Sequence, residues 1–240
     1  MRVWAERTLL LALAPLLVLQ GKYARAVTPR LPEPPGARSG REGSGPMLRL
    51  LIAGDSAAAG VGVTHQQAAL SGQLVTTLAP YFDVHWLLIA KTGYSTNDLL
   101  RRLDQEPALP FDVAVLSLGV NDVTGAVRIG TWLTQQKELV TLLLRRFDVK
   151  RIVLTSVPPM HRFRALPQPL RAVLGARARR FNTRLTSAVD TWHACELLSM
   201  TLPIEPDALA ADGFHPNHST YHDWALQLAE RIRRWVDNSS

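Results

Sequence analysis

The sequence predicts an α/β domain: a five-stranded parallel sheet with helices on both faces. Short apolar runs and stretches at helical spacing alternate five times between Leu48 and Val236. The first run, Leu48 to Gly54, has the look of a strand buried on both faces. Glycine and polar residues recur just after them, where parallel sheets of this kind place their sites.

The first strand is LRLLIAG, Leu48 to Gly54, and the helix after it spans Gln66 to Ala79, with Leu70, Leu74 and Leu78 on one side. DVHWLLIA, Asp83 to Ala90, is the second strand. Ser95 to Leu103 opens with capping residues and predicts a short helix. FDVAVLSLG, Phe111 to Gly119, is the third strand, followed by an amphipathic helix over Trp132 to Phe147. The fourth strand, Lys150 to Pro159, stops at two prolines. A long helix with an arginine-rich outer face covers Pro169 to Val189. Ala194 to Met200 is the fifth strand, and His218 to Val236 the closing helix.

The 240 residues suit one such domain. The formal charge of +7 is concentrated at the front: residues 1–47 carry seven basic and three acidic side chains, against 20 and 17 in the rest. A basic leader on a nearly balanced body does not describe a nucleic-acid-binding domain. Cys195 is the single cysteine, so no intramolecular disulfide forms, and it reads as a small buried hydrophobe.

Residues 1–27 are expected to be a signal peptide or membrane anchor. The apolar run Thr8 to Gly21 follows a start carrying Arg2 and Arg7. Ala24-Arg25-Ala26 offers a small-x-small cleavage site and favours export to the periplasm or beyond. The positive charge behind the run favours an anchor with the body on the cytoplasmic side. Residues 28–47, rich in Pro, Gly and charge, read as a flexible linker, and the domain is expected over residues 48–237.

Gly54-Asp55-Ser56 ends the first strand and admits two chemistries. A phosphate-binding loop needs G-x-x-x-x-G-K-[ST], but no lysine stands between Leu48 and Ala90; G-x-G-x-x-G is also absent. No cofactor is therefore expected. A reactive serine needs a base, usually a histidine oriented by a carboxylate. Asp212 and His215, in DGFH, supply both, and Gly213 permits a tight turn between them. Donors for a developing oxyanion are the backbone N–H of Ser56, placed at a helix start, that of Gly93, and the Asn121 side chain. Asp55 reads as a structural residue and Asp122 as a brace for the Asn121 loop. A metal site built from Asp212, His215 and His218 lacks a compact ligand cluster. Pro158 to Pro169 is a rigid loop or a wall of the substrate pocket, where Met160 and Phe163 suit an acyl chain.

The four blocks AGDSAAAG, KTGYST, LGVND and DGFHPN resemble those of the GDSL-type (SGNH) hydrolases, a family of esterases and lipases. The resemblance runs from about Leu48 to Val236. It implies a flavodoxin-like three-layer α/β/α sandwich, Ser56 as nucleophile, His215 as base and Asp212 orienting it. It also implies an oxyanion hole from Ser56, Gly93 and Asn121, and a small-molecule ester or lipid substrate, with an acyltransferase using the same triad as the alternative. Ala57 stands where the family name has leucine. The absence of G-x-S-x-G disfavours the unrelated α/β-hydrolase fold. The basic leader and the arginine-rich helix also fit a membrane surface.

Overall fold

The computed structural model describes residues 2–200 and 208–238, with backbone only for residues 2–11. Its elements in chain order are α1 (Arg2–Val27), β1 (Ser39–Glu42), β2 (Met47–Gly54), α2 (Leu70–Leu78), β3 (Asp83–Ala90), α3 (Thr96–Asp104) and β4 (Val113–Ser117). There follow α4 (Val120–Thr124), α5 (Ile129–Arg146), β5 (Arg151–Thr155), α6 (Leu170–Val189), β6 (Cys195–Leu198) and α7 (His218–Asp237).

Strands β3, β2, β4, β5 and β6 pair in parallel in that order, as the apolar runs predict. Side chains alternate between two cores. Leu51, Ala53, Ala114 and Leu116 face α3, α5 and α6, while Leu50, Ile52, Val113 and Val115 face α2 and α7. The result is a three-layer α/β/α sandwich.

The sheet has six strands, not five, and its added edge strand is antiparallel. That strand, β1, lies within residues 28–47, expected to be a flexible linker. All four of its residues are exposed, so it carries no apolar periodicity to reveal it. Backbone pairing with β3 holds it, together with a bidentate ion pair from Arg41 to Asp83 at 2.7 and 2.8 Å. Upstream, Arg38 pairs with Glu33 and also donates to the Ala90 carbonyl.

The leader forms the helix α1. The charged start at Arg2 and Arg7 lies outside the side chains described. The far half of α1 rests on the domain. Ala24 is buried and Leu17 packs on the α3/α5/α6 core. Gln20 donates to the Gln168 carbonyl at 2.6 Å and accepts from the Leu170 N–H at 3.0 Å. Among the described residues no helix is long and apolar enough to cross a membrane.

Candidate active site

Strand β2 ends in a glycine because nothing else fits. A Cβ at Gly54 would stand 2.1 Å from the Ser117 carbonyl oxygen of the adjacent strand. Asp55 N–H then donates to that same oxygen. Residues 56–62 run through successive turns, closed by Ala59 N–H to the Asp55 carbonyl and Val61 N–H to that of Ser56. Ser56 therefore stands in a turn, not at the helix start expected; α2 begins only at Leu70. The small residues let the chain fold back tightly enough to present the hydroxyl.

Asp212 and His215 sit in the tight turn before α7. Gly213 has φ 64, in the region favouring glycine. Asp212 Oδ1 accepts from the backbone N–H of both Phe214 and His215 at 3.0 Å, and its Oδ2 lies 2.5 Å from His215 Nδ1. His215 Nε2 lies 2.9 Å from Ser56 Oγ. Residues 156 positions apart in the chain thus form one hydrogen-bonded series, carboxylate to imidazole to hydroxyl. Burial works to raise the Asp212 pKa, but the bonds from His215 and the backbone outweigh it and hold the carboxyl below its ordinary value. Asp212 is therefore ionised at neutral pH.

Asn121 lies in α4, and Gly93 in the turn after β3 with φ 88. Asn121 Nδ2 donates to the Tyr94 carbonyl at 2.9 Å, tying the two loops together and leaving its second amide hydrogen available. Asp122 braces them from below, as its position after Asn121 predicts. Its carboxylate accepts from Thr96 N and Thr96 Oγ1, the latter at 2.9 Å. Thr96 Oγ1 in turn accepts from Trp132 Nε1 at 3.1 Å and Gln136 Nε2 at 3.0 Å. Burial raises the Asp122 pKa despite the bonds from Thr96.

Asp55 is fully buried beside the site, and its Oδ1 accepts from Ala57 N–H at 3.0 Å. Burial raises its pKa to about 7, against the opposing effects of that bond and of His215. The remaining histidines stand elsewhere. His218 contacts Gln73, so it does not join Asp212 and His215 in a metal cluster. Among the described residues no three His, Cys, Asp or Glu side chains are grouped as metal ligands. Burial raises the Cys195 thiol to about 11, which keeps it unreactive.

A pocket opens beside Ser56 and His215, walled by Val120, Pro158, Phe163, Leu209 and Phe214. Phe163 packs on Phe214 at 4.6 Å, and Phe214 meets the His215 ring edge-on at 5.2 Å. Of the two loop residues expected to wall the pocket, Phe163 lines it, whereas Met160 is wholly buried in the core. Ser117, Thr155, Met200 and Trp224 also line the pocket, and they carried no sequence signal. These residues read as ordinary strand and helix positions, and only the packing of β4, β5 and α7 brings them to one cavity.

The sequence pattern of the GDSL-like lipase/acylhydrolase family matches residues 52–237. A GDSL-like esterase of Mycobacterium tuberculosis is 28% identical over 228 residues, covering 86% of this chain and 72% of that protein. Among solved structures, the psychrotrophic esterase EstA from Pseudoalteromonas sp. superposes with a TM-score of 0.56 at 20% identity, over 79% of this chain and 98% of its own. The carbohydrate acetylesterase Est24 from Sinorhizobium meliloti gives 0.62 at 16% identity, over 78% and 99%. At such identities these likenesses speak for the fold alone.

Proposed function

We propose, from the premise that the chain belongs to the GDSL-like lipase/acylhydrolase family and is a carboxylic ester hydrolase, that it works through a Ser56–His215–Asp212 triad and an acyl-enzyme. The observation carrying this reading is the 2.9 Å approach of Ser56 Oγ to His215 Nε2, with the other ring nitrogen 2.5 Å from Asp212. His215 takes the hydroxyl proton as Ser56 attacks the ester carbonyl carbon. Asp212 holds the ring in the tautomer that leaves Nε2 free and stabilises the imidazolium that forms. The developing oxyanion is met by Asn121 Nδ2–H and the backbone N–H groups of Gly93 and Ser56. The C–O bond to the alcohol breaks as His215 returns the proton to the departing oxygen. Water, deprotonated by His215, then attacks the acyl-Ser56 ester; the acyl C–Oγ bond breaks as His215 returns that proton to Ser56 Oγ, and the acid is released.

Ser56→Ala is expected to abolish turnover of short p-nitrophenyl esters and labelling by a fluorophosphonate, with the circular dichroism and melting curve unchanged. Full activity in that folded variant refutes the assignment. A transferase using the same triad is separated from a hydrolase by product analysis with and without a sugar or alcohol acceptor.

The outer side of α1 supports action at a membrane surface. Leu16, Val18, Leu19 and Tyr23 are exposed there, with Lys22 and Arg25 beside them, as in helices that lie in a lipid interface. Cosedimentation with anionic vesicles tests this. Loss of binding in Leu19→Glu supports it, and no binding by the unaltered protein refutes it.

A further inference from the structure

The pocket beside Ser56 and His215 is lined by both apolar and polar side chains. Phe163, Phe214 and Val120 are among the apolar ones, and Thr155 and Trp224 line it as well. Thr155 is 5% exposed and Trp224 is 2% exposed. The Thr155 hydroxyl and the Trp224 indole N–H are both buried without a hydrogen-bond partner. Most buried polar groups are paired, because leaving one unpaired is costly. Here two such groups line one cavity, and both are donors.

Register sets their distance from the reacting centre. Gly54 pairs across the sheet with Ser117, and Ser117 with Thr155. Thr155 therefore lies two strand spacings from the end of β2, roughly 10 Å at the Cα positions. A group bonded to both donors is distant from the ester carbonyl yet within reach of a short chain attached to it.

We propose that the part of the pocket holding Thr155 and Trp224 is a subsite for an acyl group that carries an acceptor oxygen, a ketone or hydroxyl, near its far end. The inference rests on Ser56 as the nucleophile. A ketone oxygen has two lone pairs, matching the Thr155 O–H and Trp224 N–H. The acyl part, not the alcohol, belongs here because both donors are almost wholly buried. The alcohol must leave while the acyl group stays bonded to Ser56, and a leaving group held at buried donors is poorly placed to depart. A chain with a methylene in place of the carbonyl leaves both donors unpaired, and sites built to bond a polar group discriminate strongly against analogues that lack it.

The test is a comparison of kcat/KM for p-nitrophenyl levulinate with its methylene analogue, p-nitrophenyl pentanoate. The one-carbon-longer ketone ester is measured in the same way against hexanoate. For at least one pair the keto ester is expected to be favoured on the order of tenfold or more. Thr155→Val and Trp224→Phe should each reduce that ratio toward one. Thr155→Ser, which keeps the hydroxyl, should retain most of it; loss of mere packing shifts both esters together and leaves the ratio in place. Equal turnover of keto and plain esters by the unaltered enzyme, or a ratio indifferent to Thr155→Val, overturns the inference and spares the Ser56 reading. Failure to turn over any ester overturns the Ser56 reading and the inference with it.

Discussion

The Glu33 carboxylate accepts a 2.6 Å hydrogen bond from the backbone N–H of Thr92, the residue before Gly93. A segment with the composition of a linker thus braces the loop that supplies a proposed oxyanion donor. Burial works to raise the Glu33 pKa, but the bonds from Thr92 and Arg38 prevail and keep it below its ordinary value. Glu33→Ala frees this loop at a site 59 residues away along the chain. We expect kcat to fall about tenfold, a fraction of what loss of a whole oxyanion donor costs, with KM little changed. A fall in KM-dependent binding alone, at constant kcat, contradicts this role.

Asp212→Asn removes the charge that stabilises imidazolium and places an amide where His215 Nδ1–H donates. The altered tautomer is expected to lower kcat by about 10³–10⁴. Melting temperature should fall only slightly, since an amide oxygen can still accept from Phe214 and His215 N–H. The depressed Asp212 pKa gives stability that is present above the ordinary carboxylate value and lost as pH falls through the folded value. Denaturant midpoints of the two proteins should therefore converge on acidification.

Asp55 has the opposite sign. Its pKa rises from 3.8 in the unfolded chain to about 7 in the fold, so between these values the folded state binds the extra proton. Its contribution to stability falls as pH rises across that window. Asp55→Asn keeps an acceptor for Ala57 N–H and removes the titration. The variant should gain stability relative to the parent as pH rises from 4 to 8, roughly spanning the two values. A difference between the two proteins that stays constant across the window disproves the assignment.

Thr96→Val deprives three groups of their shared partner: Asp122, Trp132 Nε1 and Gln136 Nε2. Each is buried. The expected cost is about 2–4 kcal/mol in urea unfolding, larger than a single neutral hydrogen bond. Activity should fall as well, because the same bonds hold α4 and its Asn121 against the Gly93 loop. Thr96→Ser, retaining the hydroxyl, should recover most of both losses.

Five of the six strands were legible because each is an apolar run between buried layers. β1 was not, since exposed Ser39, Gly40, Arg41 and Glu42 are fixed by backbone pairing and an ion pair with Asp83, neither of which leaves a periodic trace. The residues of the proposed triad were legible because Ser56, Asp212 and His215 carry chemistry that few positions combine. Thr155 and Trp224 were not, because a threonine ending a strand and a tryptophan in a helix are ordinary residues until their neighbours are known.

By itself the sequence determined the layers of the sheet, the order of its parallel strands along the chain and the residue types able to attack an ester. Local composition is enough for these: burial imposes apolar runs, and nucleophilic chemistry demands a hydroxyl, an imidazole and a carboxylate. Only the tertiary structure decided that Ser56 meets His215 at 2.9 Å, that Glu33 reaches Thr92, and that two unpaired donors line one pocket. Those relationships join residues far apart in sequence. They depend on strand register and on the angle at which helices pack, quantities that no local pattern encodes.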